Sequence, residues 1–218
     1  MVQKRVLVLD MDDTLCSFIG PVIEKSKRLF PDRQFKLPRY GQYGRWCTDN
    51  FSTEDMMLVQ EHIFNDEFYL SLPPVLSTSH GPGLYDFSEV AWSKFDQIII
   101  ATARRGYMKH PEEVTSEWLT KNNFRDSDRL RIKVFDTKES KLSCVKGPAL
   151  FVDDSLTLAQ SIVSQGFGTE NADHHMILVN QPWNDGFSRT NDCTITSVRR
   201  MIEALSVTAD QLNYPFRK

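Results

Sequence analysis

Four short runs rich in apolar and β-branched residues constrain the fold of this chain more than any other feature of its sequence. They lie at residues 5–9, 97–101, 130–135 and 149–153. Largely continuous apolar character is expected of strands that are covered on both faces, and helical patterns separate the last three runs. The sequence therefore predicts an α/β fold with a Rossmann-like parallel sheet, in which residues 175–180 would form a fifth strand.

The stretch between the first two runs is too long for one connection. It holds about eighty residues, more than a crossover in a compact domain needs, so we expect an inserted structure. Pro21 can begin a helix there, and Ser52 with Asp55 predicts a capping box at the start of a second helix. The apolar residues expected inside these helices are Val22, Ile23, Leu29, Phe30, Met56, Met57, Ile63 and Phe64. Residues 76–86 are predicted to form the loop that returns the chain to the sheet.

Helical patterns also occur after the insertion. Pro111 stands where a first helical turn would begin, and the residues after it carry apolar side chains at helical spacing. A last helix is predicted over residues 197–207. The chain is therefore predicted to divide into a core of residues 1–16 and 97–218 and a mainly helical cap of residues 17–96.

The composition is that of an ordinary globular protein, and it excludes several classes. No apolar run among the 218 residues is long enough to cross a bilayer, so no membrane partner is expected. The first strand begins within a few residues of Met1, which leaves no room for a secretory signal and favours a cytoplasmic location. Cys16, Cys47, Cys144 and Cys193 are scattered without a CxxC pair, which argues against a disulfide framework and a zinc site.

The charge balance argues against a general affinity for nucleic acid. The formal net charge is -3, whereas binding to a phosphate backbone needs a positive face. The local exception is the segment 25–39, which is rich in lysine and arginine. Such a segment is typical of the solvated side of a helix, and the alternative is a funnel that attracts anionic substrates.

Acidic residues gather where two of the predicted strands end. Asp10 and Asp12 follow the first run, and Asp153 and Asp154 follow the apolar residues of the fourth. Ligands of open parallel sheets bind beyond the carboxyl ends of the strands, so we expect these acids to meet there. Removing carboxylates from water costs several kcal/mol apiece unless a cation or a partner compensates. Oxygen ligands from two strands favour a hard cation, most simply Mg²⁺.

A hydroxyl and several cations are expected at the same edge of the sheet. Thr102 and Arg104 follow the second run, and either Lys138 or Lys141 follows the third. A lysine and a hydroxyl in these places could hold a phosphate group against the metal. The strand ends therefore predict a site for a metal and a phosphate.

The ordered motifs resemble those of a known superfamily. The segments DMDDTL, ATAR, a downstream lysine and FVDDS resemble the four motifs of the haloacid dehalogenase (HAD) superfamily of phosphotransferases. The resemblance covers about residues 1–16 and 97–180, and the insertion occupies the position of the superfamily's cap. It implies a HAD-like fold and a Mg²⁺-dependent phosphatase.

The resemblance also implies roles for the acids. It implies that Asp10 is the nucleophile and that Asp12 is the general acid and base. The implied metal ligands are Asp10, Asp12 and Asp154, and Asp153 would support the lysine or a metal-bound water. A carboxylate nucleophile divides hydrolysis into two easier steps through an aspartyl phosphate, and Mg²⁺ offsets its repulsion from the phosphate.

The phosphate-binding residues follow from the second and third motifs. The resemblance implies binding by Thr102, Ala103, Arg104 and Lys141. Lys141 is preferred to Lys138 because its spacing from the acidic pair more nearly matches that of the family. The lysine that does not bind phosphate is expected at the surface.

Within the superfamily, the chain most resembles the 5'(3')-deoxyribonucleotidases and their bacterial and phage relatives. The features that carry this resemblance are Phe18 shortly after the first motif, YGRWCTDNF in the cap and ILVNQPWN after the last strand. It implies a small nucleotide substrate whose base stacks on Phe18 and Trp46, each stacking contact being worth roughly 1–3 kcal/mol. Phe68 and Tyr69 are weaker candidates, and Phe68 is expected in the core of the cap.

Two alternatives remain open. The animal deoxyribonucleotidases have serine and proline after the threonine of the second motif, whereas this chain has Ala103 and Arg104. Arg104 and the residues after it instead resemble the 3'-phosphatase domains of polynucleotide kinases. The basic segment 25–39 favours such a nucleic-acid end, whereas the overall acidity and a closing cap favour a free nucleotide. A phosphate-binding module without catalysis is disfavoured by Asp10, Asp12 and Asp154. The oligomeric state, including a homodimer, is left open.

Overall fold

The centre of the molecule is a six-stranded sheet in which every neighbouring pair of strands is parallel. The computed structural model describes residues 4–39, 46–76, 83–104, 108–136, 139–164, 174–187 and 193–212. The strands are β1 (Val6–Leu9), β2 (Gln97–Thr102), β3 (Leu130–Val134), β4 (Ala149–Asp153), β5 (His175–Val179) and β6 (Cys193–Thr196). Their order in the sheet is β3-β2-β1-β4-β5-β6. The predicted Rossmann-like α/β fold is confirmed.

The register of the strands places the ends of β1 and β4 side by side. Leu9 at the end of β1 is paired with Val152 of β4, and the backbone N–H of Asp10 donates to the Val152 carbonyl at 3.0 Å. Asp10 is therefore level with Asp153. The strand order reverses direction at β1, and ligands of open α/β sheets bind at such a switch point.

Five strands were predicted within one or two residues of their ends, and β6 was not predicted. β6 is four residues long, has the sequence CTIT and is half-buried at two of its positions. So short a run with two threonines has neither the length nor the apolar continuity that predicts a buried strand.

Eight helices of the described chain accompany the sheet. They are α1 (Ile19–Leu29), α2 (Trp46–Asn50), α3 (Thr53–His62), α4 (Asp66–Ser71), α5 (Leu84–Lys94), α6 (Pro111–Lys121), α7 (Leu156–Ser164) and α8 (Met201–Leu212). Short 3-10 helices cover Glu139–Cys144 and Val198–Arg200. None of these described helices combines the length and apolar character that crossing a membrane requires.

The helices of the insertion differ from the predictions at several points. α1 begins at Ile19 rather than at Pro21, because the Asp13 carboxylate accepts the backbone N–H groups of Phe18 and Ile19 at the helix start. Leu29 at its end is 36% exposed and Met57 on α3 is 65% exposed, so both predictions of burial were wrong. α3 lies on the outside of the molecule and buries Val59 alone among its own residues.

The predicted capping box is present at the start of α3. The Ser52 hydroxyl accepts the Asp55 backbone N–H at 3.2 Å, and the Asp55 carboxylate accepts the Ser52 backbone N–H at 2.9 Å. The helix ends at His62, so Ile63 and Phe64 are buried beyond it rather than within it. The capping-box pattern in the sequence therefore predicted the start of this helix correctly.

The chain returns to the sheet through a helix that was not predicted. α5 begins at Leu84, inside the loop predicted over 76–86, and residues 77–82 of that loop lie outside the described residues. α5 packs against α8 and β2, whereas α4 contacts α6. The last helix occupies Met201–Leu212 rather than 197–207, because a 3-10 turn precedes it. The division of the chain into core and cap stays a prediction.

Candidate active site

Three buried carboxylates meet where β1 and β4 end. Asp10, Asp153 and Asp154 each offer an oxygen, and these oxygens lie within 4.8 Å of one another. All three side chains are buried. Oxygen atoms of this kind and spacing are the ligands that a hard divalent cation prefers, so the donor set fits Mg²⁺.

A buried lysine bridges two of these acids. The Nζ atom of Lys141 lies 2.7 Å from Asp10 Oδ1 and 2.7 Å from Asp153 Oδ2, and the side chain is 1% exposed. Lys141 stands on the 3-10 helix Glu139–Cys144, and Lys138 lies outside the described residues. Three carboxylates and one ammonium carry a net charge of two negative units within this set, which a divalent cation would balance.

The carboxylate of Asp153 is occupied by partners on both sides. Its Oδ2 binds Lys141, and its Oδ1 accepts the backbone N–H of Ser155 at 2.8 Å. These bonds hold Lys141 beside Asp153, and the supporting role of Asp153 in the site stays a prediction.

The loop after β5 holds Asp154. The indole N–H of Trp183 donates to Asp154 Oδ2 at 2.7 Å. The side-chain amide of Asn184 donates to the carbonyls of Asp154 and Val179, both at 2.8 Å. No sequence pattern indicates roles for Trp183 or Asn184, although both lie in ILVNQPWN, a segment that carries the resemblance to the nucleotidases.

Asp12 points to a different partner from the other acids. Arg104 binds both of its oxygens, with Nε at 3.0 Å and Nη2 at 2.5 Å, and the guanidinium lies 4.7 Å from the centre of the Tyr69 ring. Burial alone would lower the pKa of Arg104, but Asp12 and neighbouring groups outweigh it and raise that pKa above its ordinary value. Arg104 is therefore a permanent cation. Binding of a metal ion by Asp12 stays a prediction.

Two buried donors at and just after the end of β2 lack a hydrogen-bond partner among the described residues. They are the hydroxyl of Thr102, at the end of β2, and Nη1 of Arg104. Ala103 between them is half-buried. An unsatisfied buried donor costs about 1–3 kcal/mol. An anionic oxygen of a phosphate group is an acceptor that either donor could take, and phosphate binding by this segment stays a prediction.

The third carboxylate of the first motif has a structural role. Asp13 adopts a left-handed backbone conformation with φ of 57°, and its Oδ1 accepts the backbone N–H groups of Phe18 and Ile19 at 2.9 and 3.3 Å. Asp13 therefore caps the start of α1 and closes the turn that follows β1. A capping role could have been suspected from the aspartate before a helix, but the turn conformation is set by the fold.

Phe18 lies in an aromatic cluster beside the Arg104 pair. Its ring centre is 5.9 Å from that of Phe64 and 6.1 Å from those of Phe68 and Tyr69. Phe18 is half-buried, whereas Phe68 is buried as expected for the core of the insertion. Tyr69 connects this cluster to the guanidinium of Arg104.

Trp46 lies in a different packing environment. Its side chain is 4% exposed, its indole N–H donates to the Lys36 carbonyl at 2.6 Å, and its ring meets the edge of Phe51 at 5.7 Å. Phe51 in turn contacts Phe30 and Phe35. A role for Trp46 in stacking on a base stays a prediction.

Comparisons with known proteins extend this picture at the level of the fold. No protein-family model matches the chain, and no curated protein matches it. The chain is similar to the crystal structure of a protein from Thermotoga maritima provisionally assigned as a beta-phosphoglucomutase. The TM-score is 0.52 at 13% sequence identity, over 93% of this chain and 99% of that chain. At that identity the likeness shows the fold alone: a Rossmann-like parallel sheet with flanking helices.

Proposed function

We propose that this chain is a Mg²⁺-dependent phosphomonoesterase that forms an aspartyl phosphate on Asp10. The observation that carries the proposal is the buried cluster of Asp10, Asp153 and Asp154, bridged by Lys141 where β1 and β4 end. The unsatisfied hydroxyl of Thr102 supports it, because a phosphate oxygen is the acceptor that such a site would take.

The metal would be held by the carboxylates of Asp10 and Asp154. When bound, Mg²⁺ would offset the repulsion between an anionic nucleophile and an anionic phosphate. Asp153 has its oxygens on Lys141 and on the Ser155 backbone, so it would keep the lysine beside the nucleophile. Lys141 would bind a phosphate oxygen and stabilise the charge that develops during transfer.

The first chemical step would transfer the phosphoryl group to Asp10. A carboxylate oxygen of Asp10 attacks phosphorus, and the bond between phosphorus and the leaving oxygen breaks. Asp12 gives its proton to that leaving oxygen, so the alcohol departs neutral and Asp12 becomes a carboxylate. General acid catalysis of this kind is typically worth about 10²–10⁴-fold.

The second step would return the enzyme to its starting state. Asp12, now a carboxylate, takes a proton from a water molecule that attacks phosphorus. The bond between phosphorus and Asp10 breaks, and inorganic phosphate leaves. The bidentate pair with Arg104 suits this carboxylate form of Asp12. For the first step, the hydrogen bond from Arg104 to the protonated oxygen of Asp12 must weaken, because a neutral carboxyl oxygen is a poorer acceptor than a carboxylate oxygen.

The proposed substrate is a nucleoside 5'-monophosphate. Phe18 supports this choice, because its half-buried ring lies beside Tyr69, which contacts the arginine that binds the proposed acid. The buried ring and the occupied indole N–H of Trp46 favour a packing role for that residue. Base stacking on Phe18 would distinguish nucleotides from sugar phosphates.

The second candidate is a polynucleotide 3'-phosphatase. The exposure of several basic side chains favours it, since they could contact a phosphate backbone. These exposed residues are Lys27, Arg28, Lys36 and Arg39. Lys27 binds Glu24 at 2.7 Å, which reduces the positive charge that this surface presents. The free nucleotide therefore remains the first choice.

Phosphate release from a panel of substrates tests the proposal. The panel contains 5'- and 3'-mononucleotides, a 3'-phosphorylated oligonucleotide and p-nitrophenyl phosphate, each with and without Mg²⁺. We expect Mg²⁺-dependent release, fastest from a 5'-mononucleotide. The fastest release from the oligonucleotide would favour the second candidate. Binding of inorganic phosphate without phosphate release from any substrate would overturn the proposed enzymatic activity.

The variant Phe18→Ala tests the substrate class separately. Loss of a stacking contact worth roughly 1–3 kcal/mol predicts a fall in kcat/KM for nucleotides of about 5- to 150-fold. The rate with p-nitrophenyl phosphate at saturating concentration should change far less, and Trp46→Phe provides the control in the other aromatic cluster. Equal losses on both substrates would remove Phe18 from the base site.

A further inference from the structure

The acids of the site differ in the kind of donor that holds them. Asp12 binds the guanidinium of Arg104, and Asp153 binds the ammonium of Lys141. Asp154 accepts a hydrogen bond from the neutral indole of Trp183 at 2.7 Å. A neutral donor orients a carboxylate without placing a positive charge beside it, so this bond leaves Asp154 able to bind a cation.

The indole is fixed by the loop that carries it. Trp183 and Asn184 are both buried, and the Asn184 amide donates to the carbonyls of Asp154 and Val179. Asn184 Oδ1 accepts the backbone N–H of Gln181 at 2.9 Å. The Gln181 side chain in turn donates to the carbonyl of Asp13 at 2.8 Å. One loop therefore joins the turn after β1 to the acid that follows β4.

We propose that Trp183 is a positioning residue that sets the affinity of this site for Mg²⁺ by fixing the orientation of the Asp154 carboxylate. The inference rests on the proposed function, because it takes Asp154 as a metal ligand. Groups that hydrogen-bond to metal ligands typically change metal affinity by about 10- to 100-fold when they are removed. An indole N–H can only donate, so the bond from Trp183 holds Oδ2 of Asp154 toward the indole.

The chain offers a matched control for this bond. Trp118 is also buried, and its indole N–H donates to the Leu72 carbonyl at the same distance of 2.7 Å. Replacement of either tryptophan by phenylalanine removes one buried indole hydrogen bond and leaves an aromatic ring. The two variants differ in the acceptor that loses its donor. Trp183→Phe affects the carboxylate of Asp154, whereas Trp118→Phe affects the backbone carbonyl of Leu72, directly after α4.

Calorimetric titration of the substrate-free protein with MgCl₂ tests the inference. We expect Trp183→Phe to raise the Kd for Mg²⁺ by about 10- to 100-fold, while Trp118→Phe leaves it unchanged. In kinetics, the Mg²⁺ concentration for half-maximal activity should rise for Trp183→Phe, and kcat at saturating Mg²⁺ should fall far less. An unchanged Kd in a folded Trp183→Phe protein would overturn the role of Trp183.

The same titration separates this inference from the proposed function. If the wild-type protein binds no Mg²⁺, the metal site itself is wrong and the role of Trp183 falls with it. If Trp183→Phe does not fold, indole fluorescence decides. The inference then requires Mg²⁺ to change the indole emission of both the wild-type and the Trp118→Phe protein. Constant emission at a Mg²⁺ concentration that calorimetry shows to be saturating would overturn the inference.

Discussion

Two bidentate arginine–aspartate pairs lie in different regions of this molecule. Arg104 binds both oxygens of Asp12 at the end of the sheet, with distances of 3.0 and 2.5 Å. Arg33 binds both oxygens of Asp55 in the helical insertion, with distances of 2.6 and 3.2 Å. Each guanidinium also lies over an aromatic ring, Tyr69 in the first pair and Phe30 in the second.

The two pairs differ in burial and in what remains available for binding. The Arg104 side chain is 1% exposed, whereas the Arg33 side chain is 36% exposed. Arg33 also donates to the Asn50 carbonyl, and Asp55 closes the capping box of α3, so this pair is part of the local chain structure. Nη1 of Arg104 is buried with no hydrogen-bond partner among the described residues.

The comparison separates geometry from function. A bidentate pair on an aromatic ring is strong by itself in either place. Only the buried pair stands at a strand end beside further acids, with a donor still to be satisfied. Variants made in parallel at both pairs should therefore affect activity at one pair and folding at the other.

The largest expected difference is between Asp12→Asn and Asp55→Asn. Asparagine cannot transfer the proton that both chemical steps need, so Asp12→Asn should lower kcat for a nucleoside monophosphate by about 10²–10⁴-fold. Asp55→Asn should leave kcat near the wild-type value and lower Tm instead. Steady-state kinetics and thermal melts measure the two effects. Wild-type kcat for Asp12→Asn would show that the two pairs are equivalent and that Asp12 is not the acid.

A smaller difference is expected between Arg104→Lys and Arg33→Lys. Lysine keeps the charge but cannot bind both oxygens of a carboxylate, so the acid would lose its orientation. A small misplacement of a catalytic group can cost about 10²-fold in kcat. We expect a loss of that size for Arg104→Lys with a nucleoside monophosphate and no loss of activity for Arg33→Lys.

The leaving group sharpens this second comparison. p-Nitrophenolate leaves without protonation, so the loss caused by Arg104→Lys should be smaller with p-nitrophenyl phosphate if Arg104 acts by positioning Asp12. If Arg104 instead serves chiefly to bind the phosphate group, the loss should be equal for both substrates and should appear in KM.

The smallest expected effect is the pH dependence of stability at the exposed pair. The hydrogen bond from Arg33 is the main cause that lowers the pKa of Asp55 to about 2 in the folded protein, below the ordinary value of 3.8. The stability that the pair contributes is therefore present above the unfolded pKa and is lost as the pH falls from about 4 through 2. The Tm difference between wild type and Asp55→Asn should shrink over that range. A constant difference would mean that ionisation of Asp55 contributes nothing to the stability of the folded protein.

The sequence contained enough information for five of the six strands and for the acids at the edge of the sheet. The apolar runs indicated the strands, and parallel strands bring their carboxyl ends to one edge, so Asp10, Asp153 and Asp154 were expected together. The preference for Lys141 depended on the spacing of a family motif, and the structure places that lysine between Asp10 and Asp153.

The partners of these acids could not be derived in the same way. Arg104 binds Asp12 while its guanidinium lies over the ring of Tyr69, which comes from α4 and has no periodic relation to either residue. Trp183 reaches Asp154 only because the loop after β5 folds back over β4. The exposure of Met57 likewise depends on which face of α3 meets the rest of the molecule.

The central claim is that Asp10 receives the phosphoryl group and that Asp12 activates the water that removes it. The most direct test combines Asp12→Asn, Mg²⁺ and p-nitrophenyl phosphate, because the first step then needs no acid while the second lacks its base. We predict a burst of p-nitrophenol equal to the enzyme concentration, followed by slow turnover, and mass spectrometry of the acid-quenched protein should find one phosphoryl group on the peptide that contains Asp10. Steady release without a burst, with that peptide unmodified, would contradict the account.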